Sequence, residues 1–205
     1  MASDASDAHF RTQRSSIDII AAALDPVSVM PVRVSSPDGA VTLMFSDIAD
    51  APVVAERLGA DEWACVLRDQ RTLAEHVVGH HDGELVKVEQ DGFLASFASA
   101  HAGLRAAMEL QRTFSAPADA PADQPVAVRI GLHSGFVLGD PHQPLGRNVV
   151  LASRIAARAC GGEILVSSTL KQYADGDPRF DFEAHGEYHF KGVLGEHTVY
   201  SLRWR

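Results

Sequence analysis

From residue 41 onward the chain alternates short apolar runs of strand length with amphipathic stretches of helix length, which restricts it to a sheet covered by helices. Val41 to Ile48 (VTLMFSDI) is a largely apolar run and reads as a buried strand. Ala51 to Leu58 and Asp61 to Val78 read as helix, broken at Gly59. Glu84 to Phe97 (ELVKVEQDGFLASF) reads as two strands turned at Asp91-Gly92, residue types that tolerate positive φ. Ala100 to Phe114 reads as helix and the Pro/Ala/Asp-rich Ser115 to Pro125 as a surface loop. Val126 to His133 is the next strand, Asn148 to Ala159 a helix ended by Gly161-Gly162, and Glu163 to Val166 a further strand. Two or three strands complete the chain, through Phe180 to Phe182, Gly186 to Phe190 and Thr198 to Leu202.

Residues 1 to 40 read as an extension and residues 41 to 205 as one domain, since 205 residues that are 46% hydrophobic suffice for a single sizeable core. Within the extension Ile17, Ile20, Ala21 and Leu24 fall at helical spacing, so a short amphipathic helix is expected there, covering part of the core or a partner surface. A formal net charge of -9 argues against a broad nucleic-acid surface, which needs clustered Lys and Arg. The two cysteines, Cys65 and Cys160, form neither a disulfide framework nor a metal-ligand spacing. With no secretory or membrane-spanning run in the sequence, a soluble protein in a reducing cytoplasm is expected.

Two carboxylates stand out. Asp47 lies at the C-terminal end of an apolar strand just before a helix, where a ligand crevice and unpaired helix N–H groups are common. Asp91 lies at the tip of the hairpin. If the two strands are neighbours the carboxylates converge, and hard oxygen ligands beside a phosphate are what Mg²⁺ requires. His76 and His80 are spaced i, i+4 with His81 adjacent, but Val77 stands where HExxH has its glutamate and Gly79 suggests a helix end. A solvated helix terminus, with His near the last carbonyls, is the favoured reading there.

Five blocks occur in an order that resembles the class III adenylyl and guanylyl cyclases: FSDIADAPVVAERLG, ELVKVEQDGFLASF, RIGLHSG, GRNVVLASRIAARACGGEILVSS and FKGVLGEHTVY. The resemblance spans about residues 41 to 202. It implies an α+β, ferredoxin-like core with a mostly antiparallel central sheet flanked by helices, dimerising head to tail so that each active site is made from both subunits. It also implies that Asp47, Asp91 and the backbone of Ile48 hold two Mg²⁺ or Mn²⁺ ions. Arg154 matches the arginine that stabilises charge on the α-phosphoryl group, Lys191 a triphosphate-binding lysine, and Lys87 the lysine that reads the purine edge in the opposite site of the dimer.

Departures from the family pattern qualify these expectations. Val150 stands where the family places a ribose-holding asparagine four residues before the arginine, and it has no hydrogen-bonding group. Asn148 is two residues away, about 200° round a helix, so it is not a simple substitute. Gln143 stands where adenylyl cyclases usually place an aspartate or threonine facing the adenine amino group, which weakens base selectivity because an amide can donate or accept. Gln90 replaces a glycine, so the turn is expected to place its positive φ at Asp91 and Gly92. Pro52 is acceptable in a first helical turn, whereas Asp50 adds negative charge near the expected triphosphate. The function implied is cyclisation of ATP to cyclic AMP and pyrophosphate by a homodimer, with low activity. The alternatives are a degenerate nucleotide-binding or dimerising regulatory module, or a cyclase of GTP or another NTP.

Overall fold

A computed structural model of the chain describes residues 15–23, 39–115, 126–136 and 144–205. The elements run α1 (Ser16–Ala23), β1 (Ala40–Ile48), α2 (Ala51–Leu58), α3 (Ala60–His80), β2 (Gly83–Glu89), β3 (Gly92–Phe97), α4 (Ala100–Ser115), β4 (Val128–Phe136), α5 (Pro144–Ala156), β5 (Ile164–Ser167), α6 (Ser168–Ala174), β6 (Asp181–Tyr188) and β7 (His197–Arg203). The strands form one sheet in the order β2-β3-β1-β4-β5-β7-β6. All neighbouring pairs are antiparallel except β4 with β5. The order β2-β3-β1-β4 over a βαββαβ chain is the ferredoxin-like arrangement.

Alternation along the central strands divides the side chains between two layers. Met44 and Ile48 of β1, with Val128, Ile130 and Leu132 of β4, enter the large core shared with α3, α4 and α6. Val41, Leu43 and Phe45 face the other way, onto a smaller core completed by Ile17 and Ile20 of α1 and by Val149, Ala152 and Ala156 of α5. Parity therefore puts Asp47 and Arg129 on the side of α1 and α5. Close approach of α5 to this face needs Gly131, because a Cβ there would meet the backbone of Ala156 at 2.3 Å. Gly135 serves α5 similarly, since its Cβ would lie 2.4 Å from the Asn148 amide oxygen.

Four features differ from the sequence reading. The left-handed residue of the β2–β3 turn is Gln90, with φ 49°, and neither Asp91 nor Gly92 has positive φ. The turn thus accepts a non-glycine in the αL region, held by hydrogen bonds from Ile48 N–H and the Gln70 amide to the Asp91 carbonyl. Phe180 to Phe182 and Gly186 to Phe190 belong largely to one edge strand, β6, whose register shifts between Ala184 and Gly186. Helix α6 was not anticipated; Ser167 caps it by accepting from the Leu170 N–H. Helix α5 begins at Pro144, ahead of Asn148, and proline suits that first position. Leu24, most of the Ser115 to Pro125 loop and Gln143 lie outside the described residues.

Candidate active site

Asp47 ends β1 directly opposite Arg129 of β4 on one side and Gly92 of β3 on the other. Facing positions in an antiparallel pair bring their side chains together, and the guanidinium grips the carboxylate with two bonds: Nε donates to Oδ1 at 2.6 Å and Nη2 to Oδ2 at 2.9 Å. Asp47 is only 1% exposed, so this partner matters. Burial pushes the Asp47 carboxyl above its usual range, and the Asp91 and Asp18 carboxylates push the same way, while the bond and charge of Arg129 oppose this without cancelling it. On the other partner, the bond to Asp47 holds Arg129 above its ordinary value.

Asp91 is also buried, at the tip of the β2–β3 turn, and its carbonyl accepts the Ile48 N–H at 3.1 Å. That bond fixes the turn against the end of β1 and so holds the two acidic residues at one end of the sheet. Two carboxylates in a desolvated place, one of them with its ionised form disfavoured chiefly by burial, make a donor set that a hard divalent cation fits.

Val150 and Arg154 are one turn apart on α5 and therefore share a face of the helix. Val150 is half-buried and apolar. Arg154 donates from Nη1 to Asp18 of α1 at 3.1 Å, while its Nε is buried and makes no hydrogen bond. Asn148 is engaged on the sheet side: its Nδ2 donates to the Phe136 carbonyl at 3.2 Å and its Oδ1 lies 3.2 Å from His133 Nε2.

The other expected residues are spread widely. Lys87 is half-buried on the edge strand β2, its Nζ 4.0 Å from Glu89. Lys191 is exposed in the connection between β6 and β7, at the far edge of the sheet. The described residues therefore gather Asp47, Asp91 and, through α1, Arg154, and leave Lys87 and Lys191 at opposite borders.

Three residues of this cluster escaped sequence reasoning. Arg129 carried a usable signal: a cation inside the apolar run Val126 to Ile130 needs a buried partner. Ser16 and Asp18 gave only a helix-start signal, which the structure also realises. Ser15 Oγ accepts the Asp18 N–H at 3.3 Å, and its hydroxyl donates to Asp18 Oδ2 at 3.2 Å. Ser16 donates its hydroxyl to Asp91 Oδ1.

The histidines make a separate group. α3 ends at His80, and Glu109 of α4 lies 2.8 Å from His81 Nε2 and 3.4 Å from His80 Nδ1. Burial pushes the Glu109 carboxyl up, but the hydrogen bonds and charges of His81 and His80 outweigh it and hold the group below its usual range.

The model of the adenylate and guanylate cyclase catalytic domain matches residues 34–203, most of the chain. The chain belongs to this family. A Rhizobium meliloti relative is 30% identical over 135 residues, which is 65% of this chain and 23% of that protein. The chain spans less than half the length of that relative and of a Mycobacterium tuberculosis relative, Rv0891c. Among solved structures, an adenylate cyclase from Trypanosoma brucei in its monomeric state superposes with a TM-score of 0.69 at 20% identity, covering 81% of this chain and 90% of that one. The guanylate cyclase domain of RhGC from Catenaria anguillulae, in complex with GTP, gives 0.66 at 21% identity, covering 81% and 97%. At these identities the likeness concerns the class III cyclase fold. No helix among the described residues is long and apolar enough to cross a membrane.

Proposed function

We propose that residues 41 to 205 form a nucleotidyl cyclase catalytic domain, with residues 1 to 40 as its extension, that converts ATP to 3′,5′-cyclic AMP and pyrophosphate as a homodimer. The observation that carries this reading is the pairing of Asp47 and Asp91 at one end of a cyclase-type sheet, a half-site that Arg154 of the second subunit would complete. In the reaction the ribose 3′-oxygen forms a bond to the α-phosphorus, the bond from that phosphorus to the β-phosphate oxygen breaks, and the hydroxyl proton is lost. Asp47, Asp91 and the Ile48 backbone would hold two Mg²⁺ or Mn²⁺ ions. When bound, these ions screen the triphosphate and make the 3′-hydroxyl easier to deprotonate.

Arg154 offers its guanidinium to charge developing on the α-phosphoryl group, Lys191 pairs with the triphosphate, and Lys87 and Gln143 face the base. Lys87 can donate to adenine N1, which favours ATP; the Gln143 amide can also turn its NH₂ toward guanine O6, which leaves GTP as the alternative substrate. Val150 supplies no hydrogen bond to the ribose, so turnover is low. The same observation, together with the engagement of Asn148 by His133 and Phe136, supports a second reading in which the domain binds nucleotide or dimerises as a regulatory module without turnover.

Incubating the protein with each of the four NTPs and Mn²⁺, and identifying products by mass, separates the two. Cyclic AMP should form with the unmodified protein and be lost in Asp47→Ala and Asp91→Ala. Metal-dependent nucleotide binding without any cyclic product favours the regulatory module. If both variants bind Mn²⁺–ATP as tightly as the unmodified protein, the metal assignment is wrong.

A further inference from the structure

We propose that His80, His81 and Glu109 form a Zn²⁺ site, separate from the aspartates, that ties the C-terminal end of α3 to α4. Along the sequence these histidines have no acidic partner, because Val77 stands where a helical zinc motif has its glutamate. Helix packing supplies one. Glu109 of α4 faces both rings, with Oε2 2.8 Å from His81 Nε2 and 3.4 Å from His80 Nδ1. One nitrogen from each ring and one carboxylate oxygen all lie within 4.8 Å of one another. A tetrahedral zinc ion with bonds of about 2.0–2.1 Å sets its ligand atoms about 3.3 Å apart, so small side-chain adjustments bring all three onto one ion.

The backbone accounts for this convergence. Neighbouring residues on a continuing helix point about 100° apart. α3 stops at His80, however: His81 leaves it with φ −101° and ψ 27°, and Asp82 is left-handed with φ 54°. The two rings lie with centroids 4.8 Å apart beside α4. The last carbonyls of α3 make this the negative end of the helix, which favours a cation. His81 is largely buried and His80 exposed, so the site lies at the surface with a fourth position open to water. Zn²⁺ takes the place of the hydrogen that His81 Nε2 offers the carboxylate, and the neutral ring carries its proton on Nδ1 instead.

Donor type and position both set this site apart from the catalytic one. Two imidazoles and one carboxylate suit Zn²⁺, whereas the all-oxygen set of Asp47 and Asp91 suits Mg²⁺ or Mn²⁺. Gln70 of α3 donates to the Asp91 carbonyl, and His80 ends the same helix about 15 Å further on, at about 1.5 Å per residue. The ion would do no chemistry on a nucleotide. It would fix the point where α3 turns into β2, the base of the hairpin whose tip carries Asp91.

The test titrates Zn²⁺ alone into the full chain by calorimetry, with Mg²⁺ in excess, and follows Tm with and without Zn²⁺. One Zn²⁺ per chain should bind and raise Tm. His80→Ala and Glu109→Gln should each weaken binding at least about tenfold, since losing a direct ligand costs no less than losing the partner that orients one. Both should also lose the gain in Tm. Glu109→Gln keeps an oxygen that can accept from His81, and its Tm without Zn²⁺ establishes that it is folded. Asp91→Ala should bind Zn²⁺ as the unmodified protein does. So should His76→Ala, whose ring centroid lies 6.3 Å from that of His80.

Absence of Zn²⁺ binding to the unmodified protein, or equal affinity in His80→Ala and Glu109→Gln, overturns the site and leaves an ion pair. Loss of binding in Asp91→Ala assigns the ion to the carboxylate end of the sheet and overturns it as well. Loss in His76→Ala with Glu109→Gln unaffected makes the ligand set a histidine pair on α3 alone, which also overturns it. None of these outcomes depends on cyclase activity: a chain that makes no cyclic nucleotide but binds Zn²⁺ in the expected pattern keeps the site.

Discussion

Acidification should destabilise the fold through one buried imidazole. His133 lies on β4 with Nδ1 2.8 Å from the Ser167 hydroxyl and Nε2 3.2 Å from the Asn148 amide oxygen. Asn148 Oδ1 can only accept, so Nε2 carries the proton and Nδ1 accepts from Ser167, whose oxygen already accepts the Leu170 N–H. A second proton on Nδ1 would reverse the Ser167 bond and charge a buried ring. Burial accordingly lowers the His133 pKa from 6.5 to about 4, helped by the charge of His197 and opposed by the bond to Asn148. Because the folded pKa lies below the unfolded one, the unfolded chain binds the extra proton first. The contribution is therefore fully present above about pH 6.5 and is lost progressively as pH falls toward 4. That difference corresponds to about 3 kcal/mol at most, a large share of the roughly 5–15 kcal/mol that holds a domain together.

The measurement is urea unfolding from neutral pH down to about pH 4.5, for the unmodified protein and for His133→Gln, whose amide can meet both partners without titrating. Asp47 works in the opposite direction: its raised carboxyl takes up a proton more readily when folded, so acidification relieves part of its cost. Comparing the two proteins cancels that contribution, which both share. The unmodified protein should lose about 2–3 kcal/mol more than the variant across the range. Parallel pH profiles, differing by less than about half a kcal/mol in their change, would refute the assignment of the buried neutral tautomer.

Three further outcomes follow from the geometry. Val150→Asn should raise cyclic AMP turnover by about tenfold with a smaller change in KM, because an asparagine there meets the ribose chiefly along the reaction path; no gain in a well-folded variant means the site compensates elsewhere. Mixed dimers of Asp47→Ala with Arg154→Ala should recover one intact site where either variant alone has none, and no recovery under subunit exchange counts against shared sites. Gly131→Ala should lower stability by about 1–3 kcal/mol, read as a fall in Tm, since its Cβ would press on the Ala156 backbone at 2.3 Å.

The sheet was legible where strands were continuous apolar runs or tight hairpins, as in β1, β3 and β4. It was less legible at β6, an edge strand with mixed exposure and a register shift, whose Gly186 reads locally as a break. Helix α6 was hidden because seven residues give too few turns for a period to emerge. For the site, Asp47 and Asp91 could be picked out because strand ends and hairpin tips are local features. The contacts of α1 could not. Ser16 and Asp91 are 75 residues apart, and Asp18 and Arg154 are 136 apart. Periodicity reveals that a helix has an apolar face, but which groups its first turn meets depends on where tertiary packing sets that face down.

The charge balance at this end of the sheet is nearly even, although the chain as a whole is acidic. With α1 docked, the cluster contains the carboxylates of Asp18, Asp47 and Asp91 against the guanidinium groups of Arg129 and Arg154, an excess of one negative charge when all are ionised. Arg129 is fully engaged by Asp47, so the remaining cation is Arg154, and Asp18 faces it. Nearby, Asp50 is an exposed left-handed residue before α2 whose charge reaches Arg129. One divalent cation on the Asp47 and Asp91 carboxylates would turn the excess of one negative charge in this cluster into an excess of one positive charge, which is how an acidic chain could meet a polyanion.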